Sequence, residues 1–133
     1  MVYALSLIHI LPGLVLNDFG DSIRFGASTA AEDEPDLSRV RFDLNLFEVY
    51  TKGYCEAAGD VLTREEKKCM PWGAKLMTLE CGIRFLTDYL QGDPYFKIHR
   101  ENHNLDRCRT QFKLVSDMES EWYRMNEIVE KYS

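Results

Sequence analysis

The sequence predicts a mainly α-helical domain with at most one short strand, at its N-terminus. Three observations carry this. Apolar residues between Trp72 and Gln91 recur every three or four positions around much of a helix; the segments 44–58 and 104–131 keep the same period; and Thr63-Arg64-Glu65-Glu66 has the spacing of a capping box that starts a helix. At 133 residues the chain is one domain by length, with 45% apolar and 29% charged residues, and a domain of this size can bury a working core.

In chain order, "MVYALSLIHILPG" is apolar from Val2 to Leu11 except for Ser6 and His9, which fits a buried strand with His9 packed in the core. It is shorter than the ~20 residues a membrane helix needs and has neither the basic start nor the small-residue cleavage site of a signal peptide. Pro12-Gly13 marks a turn. Asn17 or Asp18 can cap a short helix to about Phe25, with Phe19 and Ile23 on one face and Gly26 at its end. "ASTAAEDEPDLSRVR" has no apolar period and reads as a surface loop. Asp43 then caps a helix over 44–58, with Leu46, Phe47, Val49, Tyr50, Tyr54 and Ala57 as its apolar positions and Gly59 closing it.

The helix opened by Thr63 is expected to break near Met70, because Pro71 lacks an amide hydrogen and crowds the preceding turn. It resumes from Trp72 to about Gln91. There Leu76, Leu79, Ile83, Leu86 and Leu90 form one stripe, and Ala74, Met77, Cys81, Phe85 and Tyr89 a second. A helix so widely apolar belongs at the centre of the domain. Its polar edge is narrow: Glu80, Arg84, Thr87, Asp88 and Gln91. "GDPYFKIHRENHN" is a connection long enough to carry function. From Asn104 as N-cap, a last helix is expected to run to about Lys131 on Leu105, Cys108, Phe112, Val115, Trp122 and Val129.

The net charge of -6 argues against nucleic acid or an anionic membrane as partner, since such binding is driven by basic residues, and favours a small molecule or a protein. Cys55, Cys69, Cys81 and Cys108 include no C-x-x-C pair, which disfavours zinc and a dense disulfide framework. They read as mostly buried thiols of a cytoplasmic protein.

Glu80, Arg84 and Asp88 stand four apart, so they line up along one helix edge. One reading is a solvated ladder of ion pairs, each contributing about 0.3 to 0.5 kcal/mol. The other is an edge facing a cleft, with the planar fork of Arg84 offered to a phosphate or to sugar hydroxyls and Tyr95 closing over the ligand. His99, His103 and Asp106 read as loop and capping groups, because they lack the one-face spacing of helical zinc motifs. No Ser-His-Asp or Cys-His arrangement and no Gly-rich phosphate loop is present, so no catalytic residue and no metal ligand is assigned. Asp18-Phe19-Gly20 has the letters of the Mg²⁺-binding triplet of protein kinases, but the phosphate loop and lysine strand that must precede it do not fit in the seventeen residues before Asp18.

The block "ECGIRFLTDYLQGDPYFK", the longer run from Pro71 to Val129 around it, and "NDFGDSIRFGASTAAEDEPDLS" resemble the C-terminal part of the aminoglycoside and choline kinase-like phosphotransferases, most closely the N-acetylhexosamine 1-kinases. The resemblance implies that residues 12–133 are the helical C-lobe of a protein kinase-like fold. It implies that ATP and Mg²⁺ serve the intact parent but no cofactor serves this chain, and that the substrate is an amino sugar. The natural packing partner is then the missing N-terminal lobe. Residues 1–11 fall outside the family pattern: "ALSLIHI" looks like translated adapter sequence, and the family's two metal-binding aspartates are replaced by Ser6 and Ile8. Carried over by position, Arg84 and Tyr95 contact the sugar or its phosphate, and Arg24 is a further candidate. Asp18 matches an aspartate that buttresses the catalytic loop from behind, and Glu80 and Asp88 are expected to hold the Arg84 guanidinium in place. The alternative is a stand-alone helical sugar-binding or protein-interaction module that reuses the lobe without catalysis.

Overall fold

The computed structural model describes residues 14–133, and the expected N-terminal strand and His9 lie outside the described residues. The described chain is mainly α-helical: α1 (Leu14–Gly26), α2 (Leu44–Ala58), α3 (Arg64–Lys68), α4 (Met70–Leu90), α5 (His103–Ser120) and α6 (Trp122–Tyr132). A 3-10 turn at Leu37–Arg39 lies between α1 and α2, and the only β pairing among the described residues is a single antiparallel bridge between Ser28 and Phe42. No helix among them is long and apolar enough to cross a membrane.

α4 is the axis of the fold, with α1 against one flank and α5 against the other. Glycines set both distances. A Cβ on Gly20 of α1 would collide with the Gly73 carbonyl of α4, and one on Gly73 would lie 2.7 Å from the Leu16 carbonyl. On the other flank, a Cβ on Gly82 would lie 2.6 Å from the Phe112 ring of α5. The backbones of α1 and α4 therefore touch where they cross. This accounts for the kinase-like triplet: Asp18-Phe19-Gly20 lies inside a helix, with Phe19 in the core and Gly20 at the crossing.

The core lies between α1, α2 and the ends of α4, α5 and α6. Phe19 packs edge-on against Phe47 and Tyr54, and Phe47 against Phe42, while Met70, Leu114, Met118 and Met125 fill the space behind them. The Tyr54 hydroxyl donates to the Val15 carbonyl at 2.9 Å, which ties α2 to the first turn of α1. Burial, with the Asp18 carboxylate nearby, pushes the Tyr54 phenol well above its ordinary range, so it stays a neutral donor.

Several boundaries follow the sequence and others depart from it. The Thr63 capping box forms with both of its bonds, and Asp43 caps α2 by accepting from the Asn45 and Leu46 amides. Pro71 begins α4 instead of interrupting it, because the break falls one residue before Met70, at Cys69, and a proline is tolerated in a first turn. α1 starts at Leu14, so Asn17 and Asp18 are interior and cap nothing. The last expected helix is two: the chain bends at Glu121, and Trp122 turns onto Trp72 with ring centroids 4.8 Å apart. Asn104 is not the N-cap of α5; Asn102, with φ of 61°, takes that place.

The expected core stripe of α4 is a correction. Leu76, Ile83 and Leu90 are exposed, and the face turned inward is Ala74, Thr78, Gly82, Phe85 and Asp88. The helix is central through its small residues, because only they admit two close neighbours. Similarly, Val49 and Tyr50 of α2 face outward while Thr51 and Cys55 are buried. Of the cysteines, Cys55 and Cys108 are buried, Cys81 is half-buried and Cys69 is exposed.

Gly20→Ala is expected to lower stability even though alanine favours a helix interior by about 1 kcal/mol, because the added methyl forces apart two backbones in contact, a strain of about 1 to 3 kcal/mol. Phe19→Ala is expected to cost about 3 to 5 kcal/mol. Urea midpoints check both; a more stable Gly20→Ala variant would show that the helices cross further apart.

Candidate functional site

Beyond the crossing, residues of α1, α4 and the 91–102 connection line a cleft of about 520 Å³. α1 contributes Asp21, Arg24 and Phe25, and α4 contributes Met77, Glu80, Cys81, Arg84 and Phe85. Phe96, Lys97 and His99 come from the connection, Glu32 from the acidic loop and Arg107 from α5. Cations, carboxylates and aromatic rings thus share one concave surface.

Arg24 is buried at the back of this cleft. Its Nε and Nη2 donate to Asp21 Oδ1 at 3.3 and 3.2 Å, and its Nη1 to Glu32 and to Gln111 Oε1. Burial works against its charge, but the bond to Glu32 and the neighbouring acidic groups outweigh it and raise its pKa. Arg24 is therefore a permanent cation with most donors spent, binding the acidic loop to α1 and α5. Beside it, burial pushes the Cys81 thiol up, against the opposing field of Arg24.

Arg84 is different. Among the described residues its side chain makes no hydrogen bond and no ion pair, and its guanidinium carbon lies 5.9 Å from the centre of the Phe96 ring. The expected support from Glu80 and Asp88 does not form. Asp88 is buried, and its carboxylate is consumed by the connection: it accepts from the Tyr95 amide at 2.9 Å, the Phe96 amide at 3.0 Å and Asn104 Nδ2 at 2.8 Å. Glu80 lines the cleft beside Arg84 without pairing to it. Neither the ion-pair ladder nor the clamped guanidinium describes this edge. Arg84 stands free on the rim.

Tyr95 does not line the large cleft. With Arg84, Thr87, Asp88, Gln91 and Phe96 it borders a shallower depression of about 230 Å³, and its ring is 75% exposed. Arg84 and Phe96 belong to both hollows, so they form a ridge with Arg24 on one side and Tyr95 on the other. The three residues expected to meet a sugar are thus neighbours across Arg84 instead of members of one pocket.

The connection is held by more than Asp88. Gly92 and Asp93 both take positive φ, which turns the chain back so that the Asp93 amide reaches the Asp88 carbonyl at 2.8 Å. Asn104 donates also to Asp93 Oδ1 at 3.0 Å and accepts from Arg107 Nη1 at 2.8 Å, while Arg107 lies over the Phe85 ring. The sequence suggested other roles for two of these groups, Asp88 as a support for Arg84 and Asn104 as an N-cap. Asp88 and Asn104 carry no local pattern that separates a buried clamp from an exposed polar pair.

The acidic loop lies at the surface as expected, and its acidic residues also tether it to the helices. Glu32 binds Arg24, the Glu34 carbonyl accepts from Thr110, and Asp33 Oδ2 lies 2.7 Å from His103 Nε2. The other ring nitrogen of His103, Nδ1, accepts from the His99 amide at 3.1 Å, which assigns the proton to Nε2. Arg100 pairs with Asp106. His99, His103 and Asp106 therefore serve the connection, and the described residues contain no group of three or more His, Cys, Asp or Glu side chains placed to hold a metal ion. Asp18 Oδ2 is buried and has no hydrogen-bond partner among the described residues. No protein-family model matches the chain.

Asp88→Ala is expected to cost about 3 kcal/mol or more, because it strips a charged acceptor from three donors at once, and to speed hydrogen exchange at the Tyr95 and Phe96 amides. Unchanged exchange would show that the connection is held elsewhere. The His103 bond also holds the Asp33 carboxyl below its ordinary 3.8. A depressed carboxylate stabilises the fold above its unfolded pKa, and that contribution disappears as pH falls through the folded value. Stability is therefore expected to fall below about pH 4, and Asp33→Asn to flatten that part of a urea-midpoint profile.

Proposed function

We propose that this chain is the substrate-binding helical lobe of an ATP-dependent sugar kinase of the N-acetylhexosamine 1-phosphotransferase type, and that it is inactive alone because the parts that hold ATP lie in a lobe it does not carry. The observation that carries the reading is the guanidinium of Arg84, without a partner among the described residues, on the rim of a cleft with Glu80 and the Phe85 and Phe96 rings beside it. Sugars are bound by such mixed surfaces. Paired donors and carboxylates take neighbouring hydroxyls, and an aromatic ring covers the apolar C–H face of the ring. A planar fork also suits the phosphate that a 1-kinase leaves on the anomeric carbon.

Two further features support it. Asp18 Oδ2, buried beside Tyr54 and without a hydrogen-bond partner among the described residues, suits a carboxylate that meets an adjoining catalytic loop. The letters that carry the resemblance, in "ECGIRFLTDYLQGDPYFK", also coincide with the end of α4 and the clamped connection, the segment that builds the ridge. The residues present do not fit ATP and Mg²⁺. No acidic cluster is available for a divalent ion among the described residues, and the carboxylates Asp21 and Glu32 are taken by Arg24. In this proposal the metal and nucleotide sit on the missing lobe, and this lobe supplies sugar orientation.

Incubated with ATP, Mg²⁺ and N-acetylglucosamine or N-acetylgalactosamine, the chain is expected to give no turnover above a no-enzyme control; turnover abolished by EDTA would overturn the assignment of the chemistry to the missing lobe. In a chimera restoring that lobe, Arg84→Lys is expected to reduce kcat/KM well beyond its effect on stability, because lysine lacks the fork. A change within about twofold, roughly 0.4 kcal/mol, would remove Arg84 from the site. Arg24→Lys is expected to act mainly on stability, since its donors already serve Asp21, Glu32 and Gln111.

A further inference from the structure

The outward face of α4 carries an apolar seam that the fold leaves uncovered. Trp72, Leu76, Leu79, Ile83, Leu86 and Leu90 follow one another at intervals of four, three, four, three and four, the spacing by which one helix presents a continuous seam to another. Leu76, Ile83 and Leu90 are 53, 49 and 72% exposed, and Leu79 and Leu86 between them are half-buried. It extends about 27 Å at 1.5 Å per residue. Exposed apolar stripes of this length mark association sites more often than they persist on a monomer.

We infer that this seam pairs with the same seam of a second copy, α4 against α4, parallel and in register about a two-fold axis. The flanking charges favour that occupant and that direction. Lys75 and Glu80 lie on opposite sides of the seam, five residues apart. In a parallel heptad pair, residues so placed meet across the interface, so Lys75 of each copy reaches Glu80 of the other and the contact is made twice. An antiparallel pair that also matches apolar to apolar sets Trp72 against Leu90 and Leu79 against Ile83, and it brings the two Glu80 side chains together. Like charges disfavour it. Lys75 already lies at the seam edge, 3.1 Å from Glu119 and over the Trp72 and Trp122 rings. Its ammonium has three donors, so it can serve Glu119 and an incoming carboxylate together. Glu80 is exposed and unpaired among the described residues, and the two-fold pair supplies it with an opposite charge.

The association shares one residue, Glu80, with the sugar reading and is tested at positions that reading does not use. It uses the face of α4 next to the ridge, with Ile83 and Leu90 outside both hollows. Sedimentation equilibrium of the chain between about 1 µM and 1 mM, a range spanning weak to moderate affinities, is expected to show a monomer–dimer equilibrium. Ile83→Lys and Leu90→Lys should each shift it to monomer by at least tenfold in dissociation constant while leaving the helical circular-dichroism signal intact. Two variants are used so that a folding defect in one does not decide the matter. In a Cys69→Ser background, Ile83→Cys is expected to form a disulfide between the two copies when oxidised glutathione is the oxidant. A monomer at every concentration overturns the inference and assigns the seam to another occupant. A dimer that survives both lysine variants overturns the seam as its interface, and a seam-dependent dimer that fails to cross-link at position 83 overturns the parallel register.

Discussion

Everything at the site depends on two helix backbones being allowed to touch. Where Gly20 meets Gly73, α1 and α4 are closer than any side chain permits, and beyond that point residues of both helices line the cleft. With Arg24 one turn beyond Gly20 and Arg84 three turns beyond Gly73, the two cations face the same opening from different elements. A methyl at either glycine would press apart the two helices that supply the lining. The same crossing keeps Phe19 against Phe47 and Tyr54, so the hydrophobic core and the polar cleft share one origin.

The cleft also shows a division of labour among its charges. Arg24, Glu32, Asp33, Asp88 and His103 are all committed to partners within the chain, and each joins segments far apart in sequence. Arg84 is not committed. With Asp21, Arg24, Glu32 and Arg107 engaged within the chain, the charged side chains of the cleft that have no partner among the described residues are Glu80, Arg84 and Lys97. What the free guanidinium can select is shape: two acceptors side by side, at the height set by the Phe96 ring.

Element type was largely legible in the sequence because it rests on local signals. The Thr63–Glu66 box and the Asp43 cap form as expected, and the three- and four-residue apolar periods all fall in helices, although the last expected helix is two. Facing was less legible. Leucines on α4 suggested the buried side, but the inward side is chosen by Gly73, Ala74, Thr78 and Gly82, whose contribution is closeness and not apolar area. The cleft was half legible: Arg84 and Tyr95 could be marked as neighbours of a long connection, and Arg24 comes to the same cleft as Arg84. The clamp could not be found, because Asp88 looks like every other acid at an i, i+4 spacing until the amides of residues 95 and 96 fold back onto it. The acidic loop was opaque for the same reason, with the partners of Glu32 and Asp33 supplied by α1 and α5.

The clamp at Asp88 has a consequence for how such a site can change over evolutionary time. It grips the connection at Tyr95 and Phe96 by their backbone amides, which every residue but proline possesses. Position is thereby separated from identity. The two rings beside Arg84 can be exchanged for smaller, larger or more polar side chains while the chain that presents them stays where it is, so ligand preference can drift by single substitutions without first passing through a misfolded intermediate.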